Sequence, residues 1–319
     1  MRQSVKLAFA CAIAGALNTG MAHASCGSAF CVLNTNWAIQ GAANEPGTAR
    51  LDLRYEFVDQ THLRSGNRQI SAAEDTGEET ELRTINRNLL ATFDYALSQK
   101  WSVSASAPVI SRSHSHVSEP TAAATLESWN FTELGDARIL GHYHVVSPDP
   151  RKCCTLSVGL KLPTGSYRVE NNDGTSAERA LQPGSGSTDL LFGAYWSGPA
   201  WRADSSWFAQ GLVQQALATK DGYRPGAQFQ LNLGYRHPVG DSLQALAQIN
   251  MLIKARDAGV NAEPDLSGSR NLFFTPGLSY ALTRDMQLYG FVQLPVYRYV
   301  NGTQLSADWS LIAGMTMRF

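Results

Sequence analysis

From residue 48 onward, hydrophobic and polar positions alternate with a period of two rather than the 3.6 of a helix. Leu51, Leu53, Tyr55 and Phe57 alternate with Asp52, Arg54 and Glu56, and Leu156, Val158, Leu160 and Leu162 with Thr155, Ser157, Gly159 and Lys161. Phe229, Leu231, Leu233 and Tyr235 repeat the pattern against Gln228, Gln230, Asn232, Gly234 and Arg236, as do Ala245, Ala247, Ile249 and Met251 against Gln244, Gln248 and Asn250. The pattern predicts about twelve strands, near 48–58, 84–97, 100–111, 132–147, 153–164, 187–198, 204–217, 226–238, 241–254, 270–282, 285–299 and 304–319. Short connections (98–99, 148–152, 198–203, 239–240, 283–284) alternate with longer ones (59–83, 112–131, 165–186, 218–225, 255–269). An all-β antiparallel meander with short turns on one side and long loops on the other is the signature of a transmembrane β-barrel of the bacterial outer membrane.

A soluble sandwich or lipocalin-like barrel also alternates. Three features argue against it: segments longer than the five or six residues usual in globular sheets, Gln, Asn, Arg and Asp at mid-strand, and aromatics at strand ends. Trp101, Tyr143, Trp196, Trp201, Trp207, Tyr235, Tyr280 and Trp309 fit interfacial girdles. In a barrel the apolar face meets lipid and the polar face lines the interior. Arg at Leu231 should then be costly and Arg at Asn232 mild. A twelve-strand wall has a radius on the order of 12 Å, which leaves a narrow lumen. Pro108, Pro163 and Pro295 should each mark a bulge or a last paired residue, because proline has no ladder N–H; Pro276 lies mid-strand without such an account.

Only 17% of the 319 residues are charged, against about 25% in soluble domains. Lys plus Arg number 26 and Asp plus Glu 27, a net charge of −1, so no basic surplus exists for a nucleic acid. The longest apolar run, Leu7 to Leu17, is too short for a membrane-spanning helix. With Arg2 and Lys6 before it and Ala22-His23-Ala24 after it, the run predicts a signal peptide over 1–24. The expected organisation is a periplasmic segment over 25–47 and a barrel over 48–319. Lipidation at Cys26 is an alternative that His23 disfavours. Cys26, Cys31, Cys153 and Cys154 remain in the exported chain, an even number that favours disulfides. A metal site competes, but Cys-x4-Cys plus Cys-Cys lacks the usual C-x2-C pair. At about 3.3 Å per extended residue, the 26–31 segment can cross the mouth to reach Cys153 and Cys154, and a tether between them is expected over a local Cys26–Cys31 loop.

The chain ends in Met315-Thr316-Met317-Arg318-Phe319, alternating up to the terminal Phe. This resembles the C-terminal signal that the assembly machinery of outer-membrane barrels reads. Gly135-Asp136-Ala137-Arg138-Ile139-Leu140-Gly141, Gly159-Leu160-Lys161-Leu162-Pro163-Thr164-Gly165 and Gly184-Ser185-Gly186-Ser187-Thr188-Asp189-Leu190-Leu191-Phe192-Gly193 follow one another in this order. Over about 130–319 they resemble the outer-membrane family named for the MetA pathway of phenol degradation, whose members are described as transporters. The resemblance implies passage of small aromatic or amphipathic solutes.

Candidate chemistry is sparse. Ser113, His114, Ser115 and His116 fall in an expected loop, where alternate residues could bind a metal ion but a solvated tip is the simpler reading. His142 and His144 share an inward face at metal-ligand spacing, without a carboxylate beside them. Asn171-Asn172-Asp173-Gly174-Thr175 reads as a turn rather than a calcium loop. Glu74, Asp75, Glu78, Glu79 and Glu81 are expected in the first external loop, where they could bridge cations at a lipopolysaccharide surface. No metal, cofactor or catalytic residue is assigned, and an enzyme is not expected. Parity places Asp52, Arg54, Glu56, Asp94, Asp136, Arg138, His142, Lys161, Asp189, Gln210, Gln214, Gln230, Arg236, Gln248, Lys254, Gln293 and Asp308 inward. Among these, Asp136, Lys161 and Asp189 should meet near the outer mouth together with Arg138. A mixed-charge lining either passes small solutes or pairs across the barrel and closes it. The sequence thus predicts an outer-membrane channel or transporter with a small-molecule solute and lipid and lipopolysaccharide as surroundings. Its alternative is a sealed barrel that binds a partner through its loops or the 25–47 segment.

Overall fold

The computed structural model describes residues 45–319 apart from 76, 78, 119–124 and 203. Its strands are β1 (Ala49–Gly66), β2 (Arg68–Gln69), β3 (Glu79–Ala96), β4 (Trp101–Ser118), β5 (Thr125–Leu134), β6 (Arg138–Val145), β7 (Cys153–Lys161), β8 (Thr188–Pro199), β9 (Ser206–Ala218), β10 (Gln228–Pro238), β11 (Leu243–Lys254), β12 (Ser269–Ala281) and β13 (Met286–Arg318). Eleven of them form one closed antiparallel barrel, and β2 and β5 lie outside that ring. Closure is made by β1 on β13, from Arg50 opposite Arg318 to Gly66 opposite Val300.

β13 is 33 residues long, far more than one crossing needs. Gln287–Val300 pairs with β12, and Val300–Arg318 pairs with β1. Gly290 sits 3.8 Å, measured from where its Cβ would be, from the carbonyl of Ile312. The run therefore doubles back at Asn301-Gly302, where Gly302 has φ +61. Ten strands cross once and β13 crosses twice, which makes twelve passes of the wall.

Alternation sets the two faces. Along β1 the inward Arg50, Asp52, Arg54, Glu56, Val58 and Gln60 are buried, while Leu51, Leu53, Tyr55 and Phe57 point outward. Large apolar side chains stand exposed all round the outside, among them Leu89, Phe93, Val158, Phe192, Leu233, Leu278 and Leu294. A soluble protein does not expose so much apolar surface, whereas lipid demands it. Aromatic pairs gather near the short turns: Trp101 with Tyr143, Trp196 with Trp207, and Trp201 with Tyr235. An all-β closed barrel with an apolar belt outside and polar residues inside is the fold of a bacterial outer-membrane protein, set in lipid and lipopolysaccharide.

The strands extend further at the long-loop end than the hydrophobic pattern indicates. β1 runs to Gly66, β3 starts at Glu79 and β4 runs to Ser118, so much of 59–83 and 112–131 is strand rather than loop. Beyond the lipid belt both faces of a strand can be polar, and the alternation that betrays a strand fades. Ser113, His114, Ser115 and His116 thus lie in β4, not in a loop, and His114 and His116 are buried. Glu79 and Glu81 belong to β3 with Glu81 buried, whereas Glu74 is exposed, bonded to Arg68 at 2.7 Å; Glu78 lies outside the described residues.

The prolines sit at faults in the ladders. Gly135 N donates to Pro108 O where the neighbour of β4 changes from β6 to β5. Pro163 follows the end of β7. Pro295 opposes Phe273 at a register shift, and the β12–β13 ladder has no pair at Pro276.

Candidate functional site

The interior is filled in three layers, beginning at the long-loop end. The connection between β7 and β8, residues 162–187, folds into the mouth. Trp129 Nε1 donates to Thr175 O at 3.0 Å, and Trp129, Ala177 and Leu181 form a buried apolar cluster. Arg112 reaches from β4 to donate to Leu181 O and, at 2.7 Å, to Asn86 Oδ1. His114 and His116 stand beside Trp129 with ring centroids 5.8 and 4.9 Å from it. Glu178 faces His116 from the infolded loop. Burial and the carboxylates of Glu263, Glu81, Glu79 and Glu127 hold the Glu178 carboxyl well above the usual range. Glu263, outside the strands, is pushed up to about 8 by burial and by Glu79 and Asp257. Acidic side chains crowd this mouth, and the crowding favours their protonated forms.

Below it lies the cluster centred on Lys161. The motif glycines make it possible: a Cβ on Gly165 would come within 2.7 Å of the backbone of Gly135 and 2.8 Å of Gly184, so only glycines allow the three chains to touch. That corner brings Asp136, Ser185 and Ser187 around the end of β7. Lys161 Nζ lies 2.8 Å from Asp136 Oδ2 and 3.3 Å from Asp189 Oδ2, and donates to Ser187 O at 3.0 Å and to Ser185 Oγ. Asp136 also accepts from the N–H groups of Gly165 and Ser185, and Asp189 from Ser187 Oγ and Gln214 Nε2. All three charged groups are buried with their polar atoms satisfied, as burial of charge requires. Arg138 joins at one remove, donating to Gln214 Oε1 at 3.3 Å. Across the lumen Arg54 Nε lies 2.8 Å from Glu56 Oε1. Between these groups is a cavity of about 90 Å³ lined by Arg54, Glu56, Asp136, Arg138, Lys161 and Gln230, among others.

The third layer, toward the short turns, is apolar. Tyr195, Phe208, Leu246, Tyr289, Phe291 and Ile312 share the inward phase and pack together. Inward glycines on adjoining passes receive the rings: Cβ atoms on Gly234, Gly277 and Gly314 would overlap Phe208, Phe291 and Tyr289. The rim of this layer is polar. Asp52 accepts from Tyr289 OH at 3.0 Å and Thr316 Oγ1 at 2.8 Å. Arg236 donates to Tyr195 OH at 2.7 Å and stacks 5.1 Å from the Phe208 centroid.

Most of the residues expected inward from alternation are buried, but they do not form one site. Asp308 instead lies beside a register shift and bonds Thr61 and His62. Asp136, Lys161 and Asp189 touch; Arg54 pairs with Glu56; Arg236 belongs to the aromatic layer. His142 is occupied by hydroxyls, Nε2 by Ser104 at 2.8 Å and Nδ1 by Ser157 at 2.7 Å. His144 likewise meets Ser102 and Thr155, both at 3.0 Å. Asn232 is not an open lumen position, since Asn250 and Gln210 hold it in a buried polar ladder that Thr275 continues. Arg there would be crowded, not mild. Cys153 and Cys154 open β7 opposite Ser197 and Trp196, and Cys26 and Cys31 lie outside the described residues. The alternation of the sequence predicts neither the infolded loop nor the aromatic layer. Glycines in the inward phase were the available signal for the second.

No family model matches the chain, and no curated protein does. Among solved structures it is similar to an outer-membrane channel from Pseudomonas putida F1, with 12% identity and a TM-score of 0.67 over 88% of this chain and 98% of that one. Weaker likenesses include the NanC porin, at 10% identity and a TM-score of 0.44 over 84% of this chain and 98% of that one. Another is a FadL homologue of Pseudomonas aeruginosa, at 9% and 0.43 over 88% and 96%. The Pseudomonas putida channel thus shares the fold of this barrel.

Proposed function

We propose that this chain is a narrow outer-membrane channel that passes small solutes, with the Lys161 layer and the aromatic layer as its two constrictions. The observation that carries the reading is the cavity of about 90 Å³ inside the barrel, with Arg54, Glu56, Arg138 and the Lys161 cluster on one part of its wall and Leu90, Pro108, Ile110 and Pro183 on another. It has room for several waters and many polar partners for them, which a barrel built only to be filled does not need. The fold shared with the Pseudomonas putida channel supports the reading. The sequence resemblance to the phenol-degradation family supports small aromatic or amphipathic solutes. In this reading 1–24 is a signal peptide, and the short turns and 25–47 are periplasmic. A disulfide joins the 26–31 segment to Cys153 or Cys154. Phe319, exposed beside its backbone pairing with Ala49, is what the assembly machinery reads. No catalysis is assigned.

A second reading, a sealed barrel that acts through its loops, is favoured by the packed layer of Tyr195, Phe208, Leu246, Tyr289, Phe291 and Ile312. Efflux of solutes graded in size from proteoliposomes separates the two. A channel releases the smallest at a rate that falls with size; a sealed barrel retains them all. For the cysteines, peptide mapping without reduction should yield a cross-linked pair of distant peptides, and an exclusively local Cys26–Cys31 bridge would reject the tether.

A further inference from the structure

We propose that His114, His116 and Glu178 form a binding site for a divalent transition-metal ion of the zinc class, which ties the infolded β7–β8 connection to the barrel wall. The ligand atoms of the three residues all lie within 4.8 Å of one another. His114 Nε2 is 3.3 Å from His116 Nδ1, which is 3.8 Å from Glu178 Oε1. Ligand atoms about 2.1 Å from one tetrahedral zinc are about 3.4 Å apart, so the His114–His116 edge already has the right length. The His116–Glu178 edge, at 3.8 Å, is slightly long, and both edges to Glu178 close by a movement of its side chain.

The imidazoles are set as ligands are set elsewhere. Thr84 Oγ1 meets His114 Nδ1 at 2.8 Å, which fixes the ring and turns Nε2 toward the site. Alternation along β4 puts His114 and His116 on the same inward face, and Trp129 walls them on one side.

Glu178 supplies the independent observation. Its side chain is 7% exposed, yet neither carboxylate oxygen accepts a hydrogen bond. A buried carboxylate left in that state is costly. Around it stand further acids, with Glu127 Oε2 3.6 Å and Glu79 Oε2 3.8 Å from His116 Nε2. The nearby cation Arg112 is committed to Asn86 and Leu181. A doubly charged ion displaces the proton that this crowding favours on Glu178 and gives one of the orphaned oxygens a partner. Two imidazole nitrogens with a carboxylate select zinc-class ions over calcium or magnesium, which prefer all-oxygen sites. The inference is independent of whether the lumen conducts.

The test is a titration of the full chain, folded in detergent, with ZnCl2 and separately with CoCl2, whose visible absorption reports tetrahedral ligation. One ion per chain is expected, together with a rise in thermal midpoint as zinc exceeds its dissociation constant. Glu178→Gln, in a loop and uncharged, should keep the fold and lower affinity about tenfold or more, and His116→Ala should lower it further. His142→Ala, at the hydroxyl-bridged pair, should bind as the wild type does. Absence of stoichiometric binding overturns the proposal, as does equal affinity in the wild type and Glu178→Gln.

Discussion

The ring of Phe208 in β9 lies directly over Gly234 in β10, its cross-strand partner, and no side chain larger than hydrogen fits beneath it. Phe291 over Gly277 and Tyr289 over Gly314 repeat the arrangement. Sheet glycines covered by a neighbouring ring keep their backbone packed and fix where the ring lies. Here they determine how far the aromatic layer projects into the lumen.

Gly234→Val should therefore push Phe208 off the wall and into the lumen. Overpacking costs about 1–3 kcal/mol, and the midpoint of urea unfolding should fall accordingly. Gly240→Val, placed where a Cβ meets nothing within 4 Å but φ is +126, tests a different effect, backbone strain at a turn. A Gly234→Val variant as stable as the wild type would show that the ring is not seated as described.

Leu231 and Asn232 separate lipid from interior. Arg at Leu231 should cost about 2–4 kcal/mol near the midplane. Asn232→Ala should also be costly, through the loss of its bonds to Gln210 and Asn250, at about 1–3 kcal/mol for the buried groups left unpaired. Folding free energies in lipid vesicles distinguish the cases: a harmless Leu231→Arg would mean the outward face does not meet lipid.

Lys161 is held by Asp136, Asp189, Ser185 and Ser187. Lys161→Met removes the one charge between two buried carboxylates, and breaking a buried pair costs about 3–5 kcal/mol. The variant should fold poorly, and adding Asp136→Asn and Asp189→Asn should recover much of the loss. A stable single variant would mean the cluster is solvated rather than structural.

Much of the barrel could be read from the sequence because period-two alternation records burial on one face and lipid on the other. Alternation puts Arg54, Glu56, Lys161 and Asp189 on the inward face, where they are buried or line the cavity. It fades where the two faces of a strand meet similar surroundings. At the outer ends of β3 and β4 both faces are polar, so Glu81, His114 and His116 looked like loop residues although they are buried. In the aromatic layer inward positions are as apolar as outward ones, so Trp207-Phe208-Ala209 shows no alternation. The descent of 162–187 into the mouth depends on the Gly135, Gly165 and Gly184 backbones meeting across three segments, a long-range contact with no local signature.

Single-channel current in planar bilayers, recorded for the wild type and for Phe208→Ala, tests the proposed function most directly. Phe208→Ala thins the aromatic layer without touching the charged one. The account predicts small discrete steps for the wild type and larger ones for Phe208→Ala. A wild-type barrel that is folded and inserted but carries no current, whatever Phe208→Ala does, would contradict the channel and leave the sealed barrel in its place.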